Sequence, residues 1–296
     1  MLLIKTLRDQ LLTPLQAVSG IVEKRHTLPI LSNVLLEKKG NQLTLLATDV
    51  EIQITTSTDA SSGDGDGAIT VGARKLQDIL RSLPDFSEVS LVLDDKKLQL
   101  RAGKSRFTLQ TLPADDFPRM ALGDNKLRSI SVTQKAIRHL LGQTPIAVRY
   151  YLNGLLLLVD GPELKAVATD GHRLAYASMS LENIEEGPRQ EFILPRKTVI
   201  ELNRLLGDSE DPLQIELSAN QVRFQFGEVV LVSKLIDGKF PDYERVIPVA
   251  LKNTVVLKRT SLLQSMIRAA ILTTEKFRGV RLMLASGVLK IMSTNA

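Results

Sequence analysis

Apolar positions along the chain switch between two periods, and the switch recurs. After a short strand at 3–6, Leu7, Leu11, Leu12, Leu15 and Val18 fall at helical spacing, and Ser19-Gly20 closes the segment. Residues 33–37, 43–48 and 52–56 then alternate with the period of two expected of strands, with Lys39-Gly40-Asn41 turning the first pair. Residues 61–67, a Ser/Gly/Asp run, predict a flexible surface loop. The order begins again with a strand at 69–71 and a helix from Arg74 to Leu83 that turns Leu76, Ile79, Leu80 and Leu83 inward. Strands at 89–93, 98–102 and 107–112 follow. Further on, the same patterning predicts helices at 134–141 and 196–206, with strands at 154–159, 164–168, 213–217, 222–226 and 229–235. A last helix at 261–270 precedes strands at 280–284 and 288–292. The expected fold class is α+β: domains of two β-α-β-β-β halves, antiparallel sheets with helices covering one face.

Local strings repeat with the pattern. Leu43 to Asp49 matches Leu164 to Asp170, and Leu289 to Asn295 is a weaker third version. Arg74-Lys75 returns as Arg196-Lys197, and Phe117-Pro118 as Phe240-Pro241, each about 120 residues later. A period this long marks domains rather than solenoid units. The expected boundaries are 1–125, 126–250 and 251–296, the last an incomplete copy in a chain that stops mid-domain.

Composition narrows the chemistry. The 296 residues contain no Cys, which removes disulfides and thiolate metal sites and fits a reducing cytosol, and the three His (His26, His139, His172) are too scattered for a metal centre. Apolar runs stop far short of a membrane span, and Lys5, Arg8 and Asp9 break the pattern of a signal peptide. Gly103-Lys104-Ser105 imitates the end of a phosphate-binding loop, but Leu98 stands where the first Gly belongs and the segment joins two strands. Asp170 and His172 raise acid-base chemistry; Asp49 and Asp170, however, are copies in separate domains and read as turn caps. Neither catalysis nor a cofactor is expected.

The net charge of +5 matters less than its placement. Arg74, Lys75 and Arg81, then Lys135 and Arg138, then Arg196, Lys197 and Arg204, then Lys258, Arg259 and Arg268 give four equivalent helices a basic bias; the first helix is near neutral. If these helices face one way, they present a surface suited to a phosphate backbone. They carry no enrichment of base-reading side chains, and aromatic residues are few, so duplex contacted without sequence preference is the expected partner. Gly171-His172-Arg173-Leu174 departs from Val50-Glu51-Ile52 of the first copy, and a copy-specific role is expected there.

Several strings together resemble the bacterial replicative sliding clamps, the beta subunits of DNA polymerase III. They are Thr27 to Asn33, Arg149-Tyr150-Tyr151-Leu152-Asn153-Gly154, Ala168 to Leu174, Asp237 to Tyr243 and Glu275 to Leu282. The resemblance runs the whole length and implies a cytoplasmic, non-catalytic processivity factor of DNA replication. It implies a homodimer ring when full length, three domains per chain, encircling double-stranded DNA with helices lining the lumen and sheets outside. Its implied partners are the DNA polymerase III catalytic subunit, the clamp loader, and other polymerases and repair proteins carrying clamp-binding peptides; no membrane is involved. Carried over by position, DNA contacts fall on Arg25, Arg74, Tyr150 and Tyr151, with Arg149, Arg196 and Lys197 beside them. The peptide pocket falls on Leu152, Thr169, Gly171, His172, Arg173, Leu174, Pro241, Arg245 and Val246. Dimer contacts fall on Lys104, Arg106, Phe107, Leu109, Ile271 and Leu272. Two features depart from the family: the segment 144–148 before Arg149 is shorter than usual, and the third domain is short. The rival expectation is a protein-interaction module that presents the pocket without closing a ring.

Overall fold

The computed structural model describes residues 1–23, 28–94, 96–121, 126–144, 153–181, 187–273 and 279–293. Four times the chain runs strand, helix and three strands. The first run is β1 (Leu2–Leu7), α1 (Arg8–Ser19), β2 (Asn33–Lys39), β3 (Gln42–Thr48) and β4 (Ile52–Asp59). The second is β5 (Gly67–Gly72), α2 (Ala73–Ser82), β6 (Glu88–Asp94), β7 (Lys97–Ala102) and β8 (Ser105–Leu112). The third is β9 (Lys126–Thr133), α3 (Gln134–Gln143), β10 (Gly154–Asp160), β11 (Glu163–Thr169) and β12 (Leu174–Ser180). The fourth is β13 (Gln190–Pro195), α4 (Arg196–Leu205), β14 (Pro212–Ser218), β15 (Gln221–Phe226) and β16 (Val229–Lys234). The chain separates into two compact units, 1–241 and 242–296.

Within the first unit the strands pair antiparallel into a twelve-stranded sheet and a four-stranded one. The larger runs β1-β6-β7-β8-β5-β2-β3-β4-β16-β15-β14-β9 and the smaller β12-β11-β10-β13. The larger sheet crosses from the first copy to the second where β4 meets β16, with Ile54 opposite Leu231 and Gln53 opposite Val232. Ile54 and Leu231 are fully buried, so the seam is sealed by apolar packing as well as by backbone bonds. Helices pair in the same rhythm: α1 packs on α2, and α3 on α4.

The apolar stripe of α1 does what its spacing predicts, burying Leu11, Leu12, Leu15 and Val18. Pro14 lies inside this helix and cannot donate to the Gln10 carbonyl; the Thr58 hydroxyl of β4 donates to that oxygen instead, at 3.1 Å. At the other end, Arg204 of α4 donates to the Gln16 and Ala17 carbonyls (3.3 and 2.7 Å), two of the acceptors that a helix C-terminus leaves open.

Residues 61–67 are tied down rather than loose. Asp64 N–H donates to the Leu2 carbonyl at 2.8 Å, Lys5 N–H to Ser62 Oγ at 3.0 Å, and Gly40 N–H to Asp66 Oδ1 at 2.8 Å. The segment therefore runs against β1, and Gly63 is the point of closest approach: a Cβ there would stand 2.2 Å from the Leu3 carbonyl oxygen. Gly63→Ala forces the backbone apart, and we expect a loss of about 1–3 kcal/mol of stability, the usual cost of overpacking. Denaturant unfolding measures it, and an unchanged midpoint would contradict the contact.

The second unit contains α5 (Arg259–Ala270) and a hairpin of β17 (Arg281–Ala285) with β18 (Val288–Met292). Leu263 and Ile267 of α5, and Leu282 and Leu284 of β17, are exposed.

Candidate functional site

Thr169 to Arg173 form the turn from β11 to β12, and side chains rather than length define it. Asp170 Oδ1 accepts from the backbone N–H of His172 (3.0 Å) and of Arg173 (2.9 Å), while Thr169 Oγ1 donates to the Arg173 carbonyl and accepts from Gly171 N–H. The first copy builds the same turn. Asp49 Oδ1 accepts from Glu51 and Ile52 N–H, and Thr48 Oγ1 bonds the Ile52 carbonyl and Val50 N–H. The repeated Thr-Asp pair is thus a turn former, and that use of Asp170 leaves nothing for acid-base chemistry. The third position needs a left-handed backbone: Gly171 takes φ 81° without strain, whereas Val50 takes φ 68° as a β-branched residue.

The N–H groups of Arg173 and His172 hold the Asp170 carboxyl below its ordinary pKa; burial opposes them and the Arg173 side chain adds to them. A depressed carboxylate stabilises the turn at all pH above the unfolded value, about 3.9, and the contribution is lost as pH falls through the lower folded value. The protection of the His172 and Arg173 amides, relative to their intrinsic exchange rates, should therefore hold from neutral pH to about 4 and fall below it; protection already lost at pH 6 would contradict this.

Two exposed side chains project from the turn. Arg173 is steadied by its Nε contact to Asp170 Oδ2 at 3.0 Å, with 79% of its side chain still exposed, and His172 is exposed beside it. Leu174 is half-buried and pairs with Thr169 across the β11–β12 ladder. Pro241 is exposed at the end of the first unit. Arg245 and Val246 belong to the second unit, where Arg245 pairs with Asp242 at 2.7 Å and Val246 is exposed. Leu152 lies outside the described residues. A cavity of about 470 Å³ elsewhere in the second copy is lined by Leu127, Phe192, Ile193, Leu235, Ile236 and Phe240, among others, and by none of the residues assigned to the peptide pocket.

The basic helix residues divide in two. The side chains of Lys75, Arg81, Arg138 and Arg196 have no hydrogen-bond or ion-pair partner among the described residues, and Arg74 is exposed while donating to the Val22 carbonyl at 3.0 Å. Lys135, Lys197 and Arg204 are engaged within the protein. Lys135 meets Glu210 at 2.8 Å, and Arg204 meets Glu201 at 2.8 Å besides the α1 carbonyls. Lys197 meets Glu23 at 2.9 Å and also bonds Asp49. Burial alone would lower the Lys197 pKa, but the bonds to Asp49 and Glu23 outweigh it and raise it. A basic count along helices cannot show this for Lys135 and Lys197, whose carboxylate partners come from distant segments; only the Glu201 partner of Arg204 is local. Arg25, Arg149, Tyr150 and Tyr151 lie outside the described residues.

Of the dimer candidates, Lys104 is exposed in the β7–β8 turn, Arg106 donates to Gln99 at 2.6 Å, Phe107 is half-buried and Leu109 is buried in its own core. Ile271 and Leu272 are exposed after α5. Among the described residues no cluster of three or more potential ligands could hold a metal ion, and no helix is long and apolar enough to cross a membrane.

Comparison with known proteins gives this arrangement a family. Residues 2–121 match the N-terminal domain of the DNA polymerase III beta subunit, and residues 131–242 match its central domain. The chain is 48% identical over 293 residues to the beta sliding clamp of Pseudomonas putida and 42% identical over 293 residues to that of Escherichia coli K12. Each alignment spans 97% of this chain and 79% of the relative. Among solved structures, the sliding clamp of Pseudomonas aeruginosa bound to griselimycin superposes with a TM-score of 0.93 at 45% identity, covering 99% of this chain and 80% of that one. The Caulobacter crescentus pol III beta superposes at 0.84 with 38% identity, covering 97% and 79%. This chain belongs to the DNA polymerase III beta subunit family, the bacterial beta sliding clamps.

Proposed function

We propose that the chain is a processivity clamp: it encircles duplex DNA, slides along it without reading sequence, and tethers the replicative polymerase and other partners through a peptide pocket. The carrying observation is the sliding-clamp architecture itself, four β-α-β-β-β runs whose helices pair beside a twelve-stranded sheet and a four-stranded one. A ring holds DNA by topology, so its contacts can be weak and movement along the duplex stays easy. Cations such as Arg74, Lys75, Arg81 and Arg196 supply a diffuse attraction to phosphate that keeps the duplex centred. Such a part needs no chemical step; a loader opens the ring, and the chain works as an accessory subunit in the cytoplasm, as a homodimer.

Within this reading, Arg25, Arg74, Arg149, Tyr150, Tyr151 and Arg196 face the duplex. The pocket is made of Leu152, Thr169, Gly171, His172, Arg173, Leu174, Pro241, Arg245 and Val246. Lys104, Arg106, Phe107 and Leu109 of the first domain and Ile271 and Leu272 of the third meet across the ring joint. We take the domains as 1–125, 126–250 and 251–296.

The lumen assignment is tested by salt. Each phosphate contact contributes about 0.9 to the slope of log affinity against log salt. Arg74→Ala with Arg196→Ala should lower the slope magnitude by roughly 1.8 for each chain of the ring, equally for duplexes of unrelated sequence. An unchanged slope would remove both residues from the lumen.

A further inference from the structure

Lys197 stands on the first turn of α4, one residue beyond Arg196, whose guanidinium has no hydrogen-bond or ion-pair partner among the described residues. Its own ammonium is occupied: it bonds Glu23, just past α1, at 2.9 Å, and Asp49 in the turn from β3 to β4. Both carboxylates come from the first domain, and Lys197 from the second. One cation between two carboxylates leaves the cluster net negative, a poor site for phosphate.

The two copies of the turn explain why Asp49 is available. In each, one carboxylate oxygen holds the turn's N–H groups. The other oxygen of Asp170 takes Arg173 of its own turn. In the first copy the matching position is Ile52, which brings no cation, so the second oxygen of Asp49 is left for Lys197 across the seam. The Asp49 side chain is only 9% exposed there. Other contacts cross at the same place. Lys234 N–H donates to the Glu51 carbonyl at 3.0 Å and its ammonium meets Glu51 Oε1 at 2.9 Å; a Cβ on Gly20 would stand 2.2 Å from Glu201 Oε2.

We propose that Lys197 is a positioning residue: with Asp49 and Glu23 it forms an ionic clasp that fixes the angle between the first and second domains, instead of contacting the duplex. The two domains meet along one strand pair, β4 with β16, and again where Arg204 of α4 bonds the α1 carbonyls; a pivot about the strand line opens the helical side. Lys197 on the first turn of α4 and Glu23 just past α1 lie on that helical side, where their bond opposes the pivot, while Asp49 anchors the ammonium from the β3–β4 turn. The inference rests on the clamp reading, since the angle matters to an arc that must close around DNA.

The test uses the full chain, whose lack of Cys permits spin labels at Gln110→Cys in the first domain and Ser178→Cys in the second. Distances between labels are recorded without DNA for Lys197→Met, Asp49→Asn (which keeps an oxygen for the turn), the double variant and Lys197→Arg. The salt slope of duplex binding is recorded for Lys197→Met. The clasp predicts a broadened distance distribution for Met and for Asn, no further broadening in the double, a native distribution for Arg, and an unchanged salt slope. A slope lowered by about 0.9 per chain, the signature of a lost phosphate contact, overturns the proposal, and so does an unbroadened distribution. If the clamp reading itself is wrong, the unmodified chain shows no salt-dependent duplex binding, while the label distances still report on the clasp.

Discussion

His172→Ala together with Arg173→Ala lowers the affinity for a clamp-binding peptide about a hundredfold, close to 2.7 kcal/mol. Both side chains are exposed, so neither supports the core. The turn survives their loss, because Asp170 Oδ1 and Thr169 Oγ1 bond its backbone, and only the second oxygen of Asp170 takes the Arg173 side chain. What disappears is a rigid cation and a ring already in place: Arg173 is anchored through its Nε to Asp170, so little conformational entropy is lost when a peptide docks. Preorganised side chains of this kind carry a disproportionate share of binding energy. Titration calorimetry with a synthetic peptide measures the loss, and circular dichroism confirms the fold. Unaltered affinity in a folded double variant would place the pocket elsewhere.

The regular elements were readable wherever periodicity and burial coincide. Leu11, Leu15 and Val18 face the core because a 3.6-residue period leaves them no other face, and Leu76 and Leu80 repeat the argument in α2. The β-α-β-β-β order could be read for the same reason, and the duplicated Thr-Asp pair marked the repeat because its side chains make the turn. Three strands escaped the pattern: β9, β12 and β13. All three are edge strands. Edges bury less, and β12 carries Ala175, Ala177, Ser178 and Ser180 where a central strand would carry Val or Leu.

The candidate site was legible in proportion to how local its physics is. The turn from Thr169 to Leu174 is a sequence-local object, and its departure from the first copy at Gly171-His172-Arg173 is visible in the string. The fate of the basic residues is not. Lys197 and Arg196 are neighbours of one residue type class on one helix, and only the approach of Glu23 and Asp49, nearly 150 or more positions away, separates their roles. Gly63 teaches the same lesson in the fold: a Gly/Ser/Asp run reads as slack, yet the Leu3 carbonyl leaves it no room for a side chain.

The largest effect belongs to topology. Contacts from a handful of exposed cations exchange quickly at moderate salt, so a protein that merely touches DNA leaves circular and linear molecules equally fast. A protein threaded by the duplex must find an end or wait for its ring to open. The decisive measurement is the dwell time of the loaded protein on nicked circular duplex and on the same DNA cut once, at a salt concentration that suppresses simple electrostatic binding. Encirclement predicts long retention on the circle and rapid loss after the single cut. Equal dwell times on both would contradict it.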